Sequence, residues 1–200
     1  MGARVVTAFH SGFGKTGALA RSVSEGAGSV EGVRSSLIDV ATIDEAGWAE
    51  LDRADAIIFG APTYFGSVSA EFKRFIEASV SRWADGPRWK DKLAAGFTNS
   101  KTMSGDKLNT LFDLAVFAAQ HGMIWVGLDL YPGWHTKDGT PDELNRVGSW
   151  LGAMAQANSD EPAGVVPPSS DLRTGAHLGR RVGELALVLA RGRASVRAAA

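Results

Sequence analysis

The sequence predicts an α/β fold with a doubly wound parallel sheet, and three observations support this prediction. Short apolar runs alternate with segments in which apolar residues recur at helical spacing. The apolar runs are almost continuous, as is typical of strands covered on both faces of a sheet. Right-handed crossovers between such strands place helices on both faces. These patterns indicate five parallel strands in a single domain over residues 1–190.

The five predicted strands are short and rich in apolar residues. A glycine loop ends the first strand, and Pro62 closes the third, which is the clearest of the five. The predicted strands are residues 4–9, 35–40, 55–61, 93–98 and 123–130.

The segments between these strands show the amphipathic pattern of helices. Phe72, Phe75 and Ile76 lie on one stripe of the third helix. Asp44 suits the first turn of the second helix, and Gly122 follows the end of the fourth. The predicted helices are residues 17–28, 43–54, 70–83, 106–120 and 171–190.

Residues 132–168 form a long irregular region rich in glycine and proline, with at most a short helix at 148–156. A loop of this length inside a domain is usually functional or covers a partner. We expect it to roof the binding site or to pack on a second subunit. The basic segment 191–200 is predicted to be a disordered, solvated tail.

Composition narrows the classes of function. The chain of 200 residues has a net charge of −1. This argues against a nucleic-acid binder, and against a very acidic electron carrier that attracts its partners by its electrostatic field. The absence of cysteine removes thiolate nucleophiles, iron–sulfur clusters and thiolate zinc sites, and suits the reducing cytoplasm, where we expect the protein. The four histidines lack metal-ligand spacing, so no metal site is predicted. No apolar stretch has the length of a membrane span.

The loop after the first strand is the first candidate site, because ligands of parallel sheets bind beyond the carboxyl ends of the strands. Its residues are Ser11, Gly12, Phe13, Gly14, Lys15 and Thr16. Small residues, two hydroxyls and a helix N-terminus favour a phosphate, although a plain glycine-rich turn is also consistent. The Walker A motif requires a glycine five positions before Gly14, where Phe9 stands, so that motif does not match. Gly12, Gly14 and Gly17 match the dinucleotide fingerprint in spacing alone, and Asp39 leaves that alternative open.

Two further loops follow the third and fourth strands. The aromatic residues of the first loop suit a flat ring or pack on a neighbouring loop. The second loop offers hydrogen bonds to a polar ring edge, and its Ser104 also suits the N-cap of the next helix. The candidate residues are Pro62, Thr63, Tyr64 and Phe65, then Asn99, Ser100, Lys101, Thr102, Met103 and Ser104.

Together the three loops resemble the FMN site of flavodoxin-like proteins. Residues 55–66 (DAIIFGAPTYFG) are similar to the third-strand signature of the WrbA-type NAD(P)H:quinone oxidoreductase family, and the similarity covers most of residues 4–130. It implies a flavodoxin-like three-layer sandwich with sheet order 2-1-3-4-5. FMN phosphate would then bind to residues 11–16, with the ring between residues 62–65 and 99–104. The family usually has arginine at the position of Tyr64 and lacks the long side chains of this second ring loop.

The resemblance also implies a function. FMN would carry electrons from NADH or NADPH to a quinone or another flat aromatic acceptor in a ping-pong cycle, in a homodimer or homotetramer. His121 would be catalytic, and Phe13 and Trp83 would wall the substrate slot. The residues alone leave two alternatives open: His121 caps the end of the helix, and Trp83 is a core residue. Three other functions stay open, namely an FMN reductase, a flavodoxin-type electron carrier and a flavin-binding regulator.

Overall fold

The structure, a computed structural model, describes residues 2–162 and 164–199. Its strands are β1 (Ala3–Phe9), β2 (Val33–Asp39), β3 (Ala56–Tyr64), β4 (Ser67–Val68), β5 (Leu93–Ser100), β6 (Ile124–Trp125) and β7 (Ala153–Gln156). Its α-helices are α1 (Lys15–Gly28), α2 (Glu45–Arg53), α3 (Ala70–Ala78), α4 (Lys107–Gln120) and α5 (Ser169–Ala199). Short 3₁₀ helices cover Val40–Thr42 and Ser79–Arg82.

The sheet runs in the order β2-β1-β3-β5-β6, and these strands pair in parallel. Strand β4 is a two-residue antiparallel partner of β3, so β5 is the fourth strand of the predicted order. One apolar core packs α1 and α5 against one sheet face, and a second packs α2, α3 and α4 against the other. The predicted strand order and three-layer arrangement are therefore confirmed.

Helices α1 and α5 pack backbone to backbone. A Cβ atom on Gly26 would lie 2.0 Å from the carbonyl oxygen of Ala176, and one on Gly179 would lie 1.9 Å from that of Val23. Both distances are far below van der Waals contact, so only glycine permits this approach. Helix α5 also continues through Ala199, and the prediction that it ends at residue 190 is wrong. The added residues are mostly alanine and arginine, which favour helix strongly.

The fifth strand is interrupted, which corrects two predictions. Only Ile124 and Trp125 of the predicted strand 123–130 pair with β5. The chain then leaves the sheet, and β7 returns to pair with the second half of β5, where a short helix was predicted. The apolar run misled the sequence analysis because Leu128 is fully buried without belonging to a strand.

A buried ion pair anchors residues 126–152, which we call the inserted segment. Arg146 donates from Nε and Nη2 to the two carboxylate oxygens of Asp171, each at 2.8 Å. The side chains of Arg146 and Asp171 are only 6% and 1% exposed. The backbone N–H of Gln156 donates to the same carboxylate at 2.8 Å. The pair therefore joins the inserted segment to α5 and to the end of β7.

His121 is an interior residue at the C-cap of α4, in agreement with the helix-capping alternative, and its catalytic role stays a prediction. Its ring is 2% exposed and stacks on Trp89 with 4.5 Å between centroids. The Ser79 hydroxyl donates to the Ile76 carbonyl, so its oxygen accepts from His121 Nε2 at 3.0 Å. Nδ1 is buried without a partner among the described residues. Burial lowers the pKa of His121 to about 4, because a charged ring would bury a second, unpaired N–H.

We expect Arg146→Met to lower the free energy of unfolding by about 3–5 kcal/mol, because it leaves the Asp171 carboxylate buried and unpaired. Urea unfolding measures the loss. Lys137→Met in the same inserted segment is the matched control, since Lys137 forms an exposed pair with Asp138 worth about 1 kcal/mol or less. Equal stabilities for the two variants would contradict the anchoring role.

The buried neutral imidazole also predicts acid sensitivity. The unfolded chain binds a proton at His121 near pH 6.5, whereas the folded chain binds it only near pH 4. The contribution of the neutral imidazole to the free energy of unfolding is therefore fully present above pH 6.5. The free energy of unfolding falls by about 3 kcal/mol as the pH drops to 4. His121→Phe should remove this part of the pH dependence, measured by urea unfolding across that range. His135→Gln, a change at an exposed histidine, should retain it, and an unchanged acid slope in His121→Phe would contradict the assignment.

Candidate functional site

A cavity of about 520 Å³ lies beyond the carboxyl ends of β1, β3 and β5. It is lined by residues from the three predicted loops and by a short stretch after β7. The lining residues are Phe13, Lys15, Thr16, Pro62, Thr63, Tyr64, Phe65, Gly66, Asn99, Ser100, Lys101, Thr102, Gly105, Asp106, Ala157 and Ser159.

The structure thus brings most of the predicted binding residues together. Ser11, Gly12 and Gly14 belong to the same first loop without lining the cavity, and Met103 and Ser104 face a second cavity on the other side of their loop. The residues that sequence analysis missed are Gly66, Gly105, Asp106, Ala157 and Ser159. The first three adjoin the predicted loops. The last two follow β7, a strand whose existence the local sequence did not reveal.

The loop before α1 presents unpaired amide groups at one end of the cavity. In the described part of the chain, the amides of residues 12–16 have no hydrogen-bond acceptor. The Ser11 hydroxyl oxygen accepts from the N–H of Gly17 at 2.9 Å, which closes the loop. Thr16 is buried in the first helical turn, and Lys15 donates to the carbonyl of Asn158. Free amides at the positive end of a helix suit a phosphate.

Aromatic side chains of the loops after β1 and β3 form another side of the cavity, which we call the aromatic wall. Phe13 and Tyr64 meet edge to face with 6.5 Å between their ring centroids. Phe65 is fully exposed and has a φ of 49°, a strained conformation for a bulky residue that is often found at functional sites. Burial and the nearby Glu71 carboxylate raise the pKa of Tyr64, so its hydroxyl stays protonated. The aromatic wall is therefore uncharged.

Hydrogen bonds fix this wall to the neighbouring elements. The Thr63 hydroxyl donates to Thr110 Oγ1 at 2.8 Å and lies 2.8 Å from Thr98 Oγ1. Asn109 donates from its side-chain amide to the carbonyl of Gly66 at 2.6 Å. The backbone of the β3 loop is thus held by β5 and α4.

The side of the cavity formed by Asn99, Ser100, Lys101 and Thr102, which we call the inner wall, contains a hydrogen-bond acceptor. The Oδ1 atom of Asn99 is buried and has no hydrogen-bond partner among the described residues. A buried acceptor without a partner is costly, so such an atom calls for an explanation. A flat ring with an N–H at its edge would satisfy it. The donor set therefore fits a flavin mononucleotide, with phosphate at the α1 end and ring at the Asn99 end.

Two remaining site predictions have different outcomes. Phe13 lines the cavity, as expected for a substrate wall. Trp83 does not, because its indole N–H donates to the carbonyl of Gln120 at 2.8 Å and holds the half-exposed ring elsewhere. Within residues 2–162 and 164–199, no cluster of three histidine or acidic residues could hold a metal. No described helix has the length and apolar character to cross a membrane.

Comparison with known proteins agrees with this geometry. The model of the NADPH-dependent FMN reductase family matches residues 45–130. The chain is 40% identical to the flavodoxin FldP of Pseudomonas aeruginosa over 174 residues, which cover 86% of this chain and 90% of that protein. It is 32% identical to an NAD(P)H dehydrogenase (quinone) of Archaeoglobus fulgidus over 205 residues, which cover 92% and 97% of the two chains.

Among solved structures, the flavodoxin, WrbA-like protein from Agrobacterium tumefaciens is 37% identical and superposes with a TM-score of 0.70, over 92% of this chain and 97% of that one. The sequence relatives and the shared fold lead to one assignment. The chain belongs to the flavodoxin-like family that includes the WrbA-like proteins and the NAD(P)H dehydrogenases (quinone).

Proposed function

We propose that the protein is an FMN-dependent NAD(P)H oxidoreductase that reduces quinones by two electrons. One observation carries the proposal. A single cavity joins a helix N-terminus with free amides to a slot that has an aromatic wall and an unpartnered Asn99 acceptor. A phosphate at one end and a flat heteroaromatic ring at the other match both halves of this cavity.

The residues of the cavity would divide the binding of FMN between them. The amides of residues 12–16 and the Thr16 hydroxyl would bind the phosphate. Asn99 would accept a hydrogen bond from the ring edge, and the loop that carries Tyr64 and Phe65 would cover one side of the ring. When bound, FMN supplies hydride acceptance from a nicotinamide and electron transfer to a quinone.

The geometry also supports a ping-pong order. Nicotinamide and quinone are both flat, and in the described structure one cavity combines the phosphate loop with the ring slot. The two substrates must then occupy the same space in turn. The aromatic wall would exclude water and align each ring, so the chain contributes orientation rather than a proton-transfer group.

A flavodoxin-type electron carrier is the second candidate, and the similarity to the flavodoxin FldP favours it. Such a carrier docks on redox proteins and gains from a strongly charged surface. The net charge of −1 supplies little steering of this kind. The exposed Phe13 and Phe65 side chains instead suit a flat small molecule.

The phosphate assignment predicts a selective loss of affinity. Thr16→Val should weaken FMN binding by about 1.5–3 kcal/mol, because a hydrogen bond to a charged group is removed at nearly constant volume. Riboflavin, which lacks the phosphate, should bind the variant and the wild type equally. Fluorescence titration measures both affinities, with Thr140→Val in the inserted segment as the matched control. Equal weakening of the two flavins would show that the loop is only structural.

The reductase proposal predicts parallel double-reciprocal lines when NAD(P)H and benzoquinone are varied. Phe13→Ala should raise the KM for benzoquinone severalfold at saturating FMN, because it removes one wall of the cavity. Trp83→Ala should leave that KM within about twofold of wild type, since Trp83 lies outside the cavity. Negligible NAD(P)H oxidation by the flavin-loaded protein in the presence of benzoquinone would favour the carrier instead.

A further inference from the structure

Lys107 is the first residue of α4 and is completely buried, which is rare for lysine. Its ammonium donates to Ser100 Oγ at 3.0 Å, to the carbonyl of Thr102 at 2.8 Å and to the carbonyl of Met103 at 2.9 Å. A lysine ammonium has three N–H donors, so all of them are used. Two of the acceptors belong to the loop that connects β5 to α4, and the third, Ser100, is the last residue of β5.

This loop has few other internal contacts to hold its shape. Residues 101–104 are exposed, and the Ser100 hydroxyl donates to the carbonyl of Thr102 at 3.0 Å. Gly105 has a φ of 57°, and a Cβ atom there would lie 2.0 Å from Ser100 Oγ. The chain is therefore folded tightly around the ammonium. The same loop forms the inner wall of the cavity through Ser100, Lys101 and Thr102.

Helix stability does not account for a lysine at this position. A cation at a helix N-terminus opposes the helix dipole, and α4 has no acidic residue in its first turn; Asp106 at the N-cap makes no side-chain capping hydrogen bond. Burial is a further cost, and it lowers the pKa of Lys107 to about 8. Asp171 partly offsets this effect, whereas Arg146 adds to it. The gain that compensates these costs lies in the loop.

We propose that Lys107 is a positioning residue for the flavin, whose buried ammonium holds residues 100–103 and thereby positions Ser100, Lys101 and Thr102 as the inner wall at the ring end of the cavity. The inference rests on the proposed FMN site and names a residue that acts on it through the loop. The side chain lies behind the wall, where it faces a second cavity and not the first. Its positive charge at that place would also stabilise the reduced, more negatively charged state of the flavin ring, which makes the midpoint potential less negative.

The test compares Lys107→Met, which keeps the side chain unbranched and only one atom shorter without its charge, with Lys73→Met at an exposed position of α3. Both variants are titrated with FMN and with riboflavin, and the midpoint potential of bound FMN is measured. We expect Lys107→Met to weaken both flavins by the same factor, at least about tenfold, and to make the potential more negative. Lys73→Met should stay within about twofold of wild type in both affinities.

Wild-type affinities and potential in Lys107→Met would overturn the inference while leaving the FMN site intact. A wild-type protein that binds no flavin would instead overturn the proposed function. Should Lys107→Met fail to fold, Lys107→Gln, which keeps two donors without the charge, provides the second variant. A more negative potential and equal weakening of both flavins in Lys107→Gln support the inference, and wild-type values overturn it.

Discussion

The parallel pairing of β1, β3 and β5 is the constraint on which the rest of the structure depends. Phe9 lies opposite Gly60, and Gly60 lies opposite Phe97, so the three strands end at one edge of the sheet. Each strand is followed by a loop at this edge because crossovers return every chain segment to the opposite edge. Residues that are far apart in sequence therefore share one cavity. Its position follows from strand direction, before any side chain is considered.

Helix α4 then converts this shared edge into a defined slot. Lys107 binds the β5 loop, whereas Asn109 and Thr110 bind the β3 loop on the other wall. Asp113, one turn further, accepts a hydrogen bond from Ser67 at 2.6 Å. The N-terminal half of one helix thus contacts both walls and holds their separation. A rigid element is better suited to this than contacts between the loops themselves, since the loop backbones are largely exposed.

The inserted segment reaches the site indirectly. The long irregular region was expected to roof the cavity or to pack on a second subunit, and of its described residues only Ala157 and Ser159 line the cavity. Its larger contribution is the buried pair of Arg146 and Asp171, which holds the end of β7 beside the β5 loop. Gln156 extends this link by donating to the carbonyl of Lys101 at 2.9 Å. The interrupted strand therefore supports the inner wall from behind.

The sequence by itself determined the alternation of strands and helices and most of the cavity lining, because both follow from local patterns, whereas the strand order came from the resemblance to a known family. Apolar runs, helical spacing and glycine-rich or aromatic loops at strand ends are properties of neighbouring residues. Only the tertiary structure decided the pairing of β7, the burial of His121 and the role of Lys107. Strand β7 is selected by β5, its partner from a distant part of the chain. His121 and Lys107 are polar residues whose environment is set by residues that folding brings around them, namely Trp89 and the β5 loop. Local sequence cannot show whether a polar side chain meets water or a partner, so the environments of His121 and Lys107 could not be predicted from it.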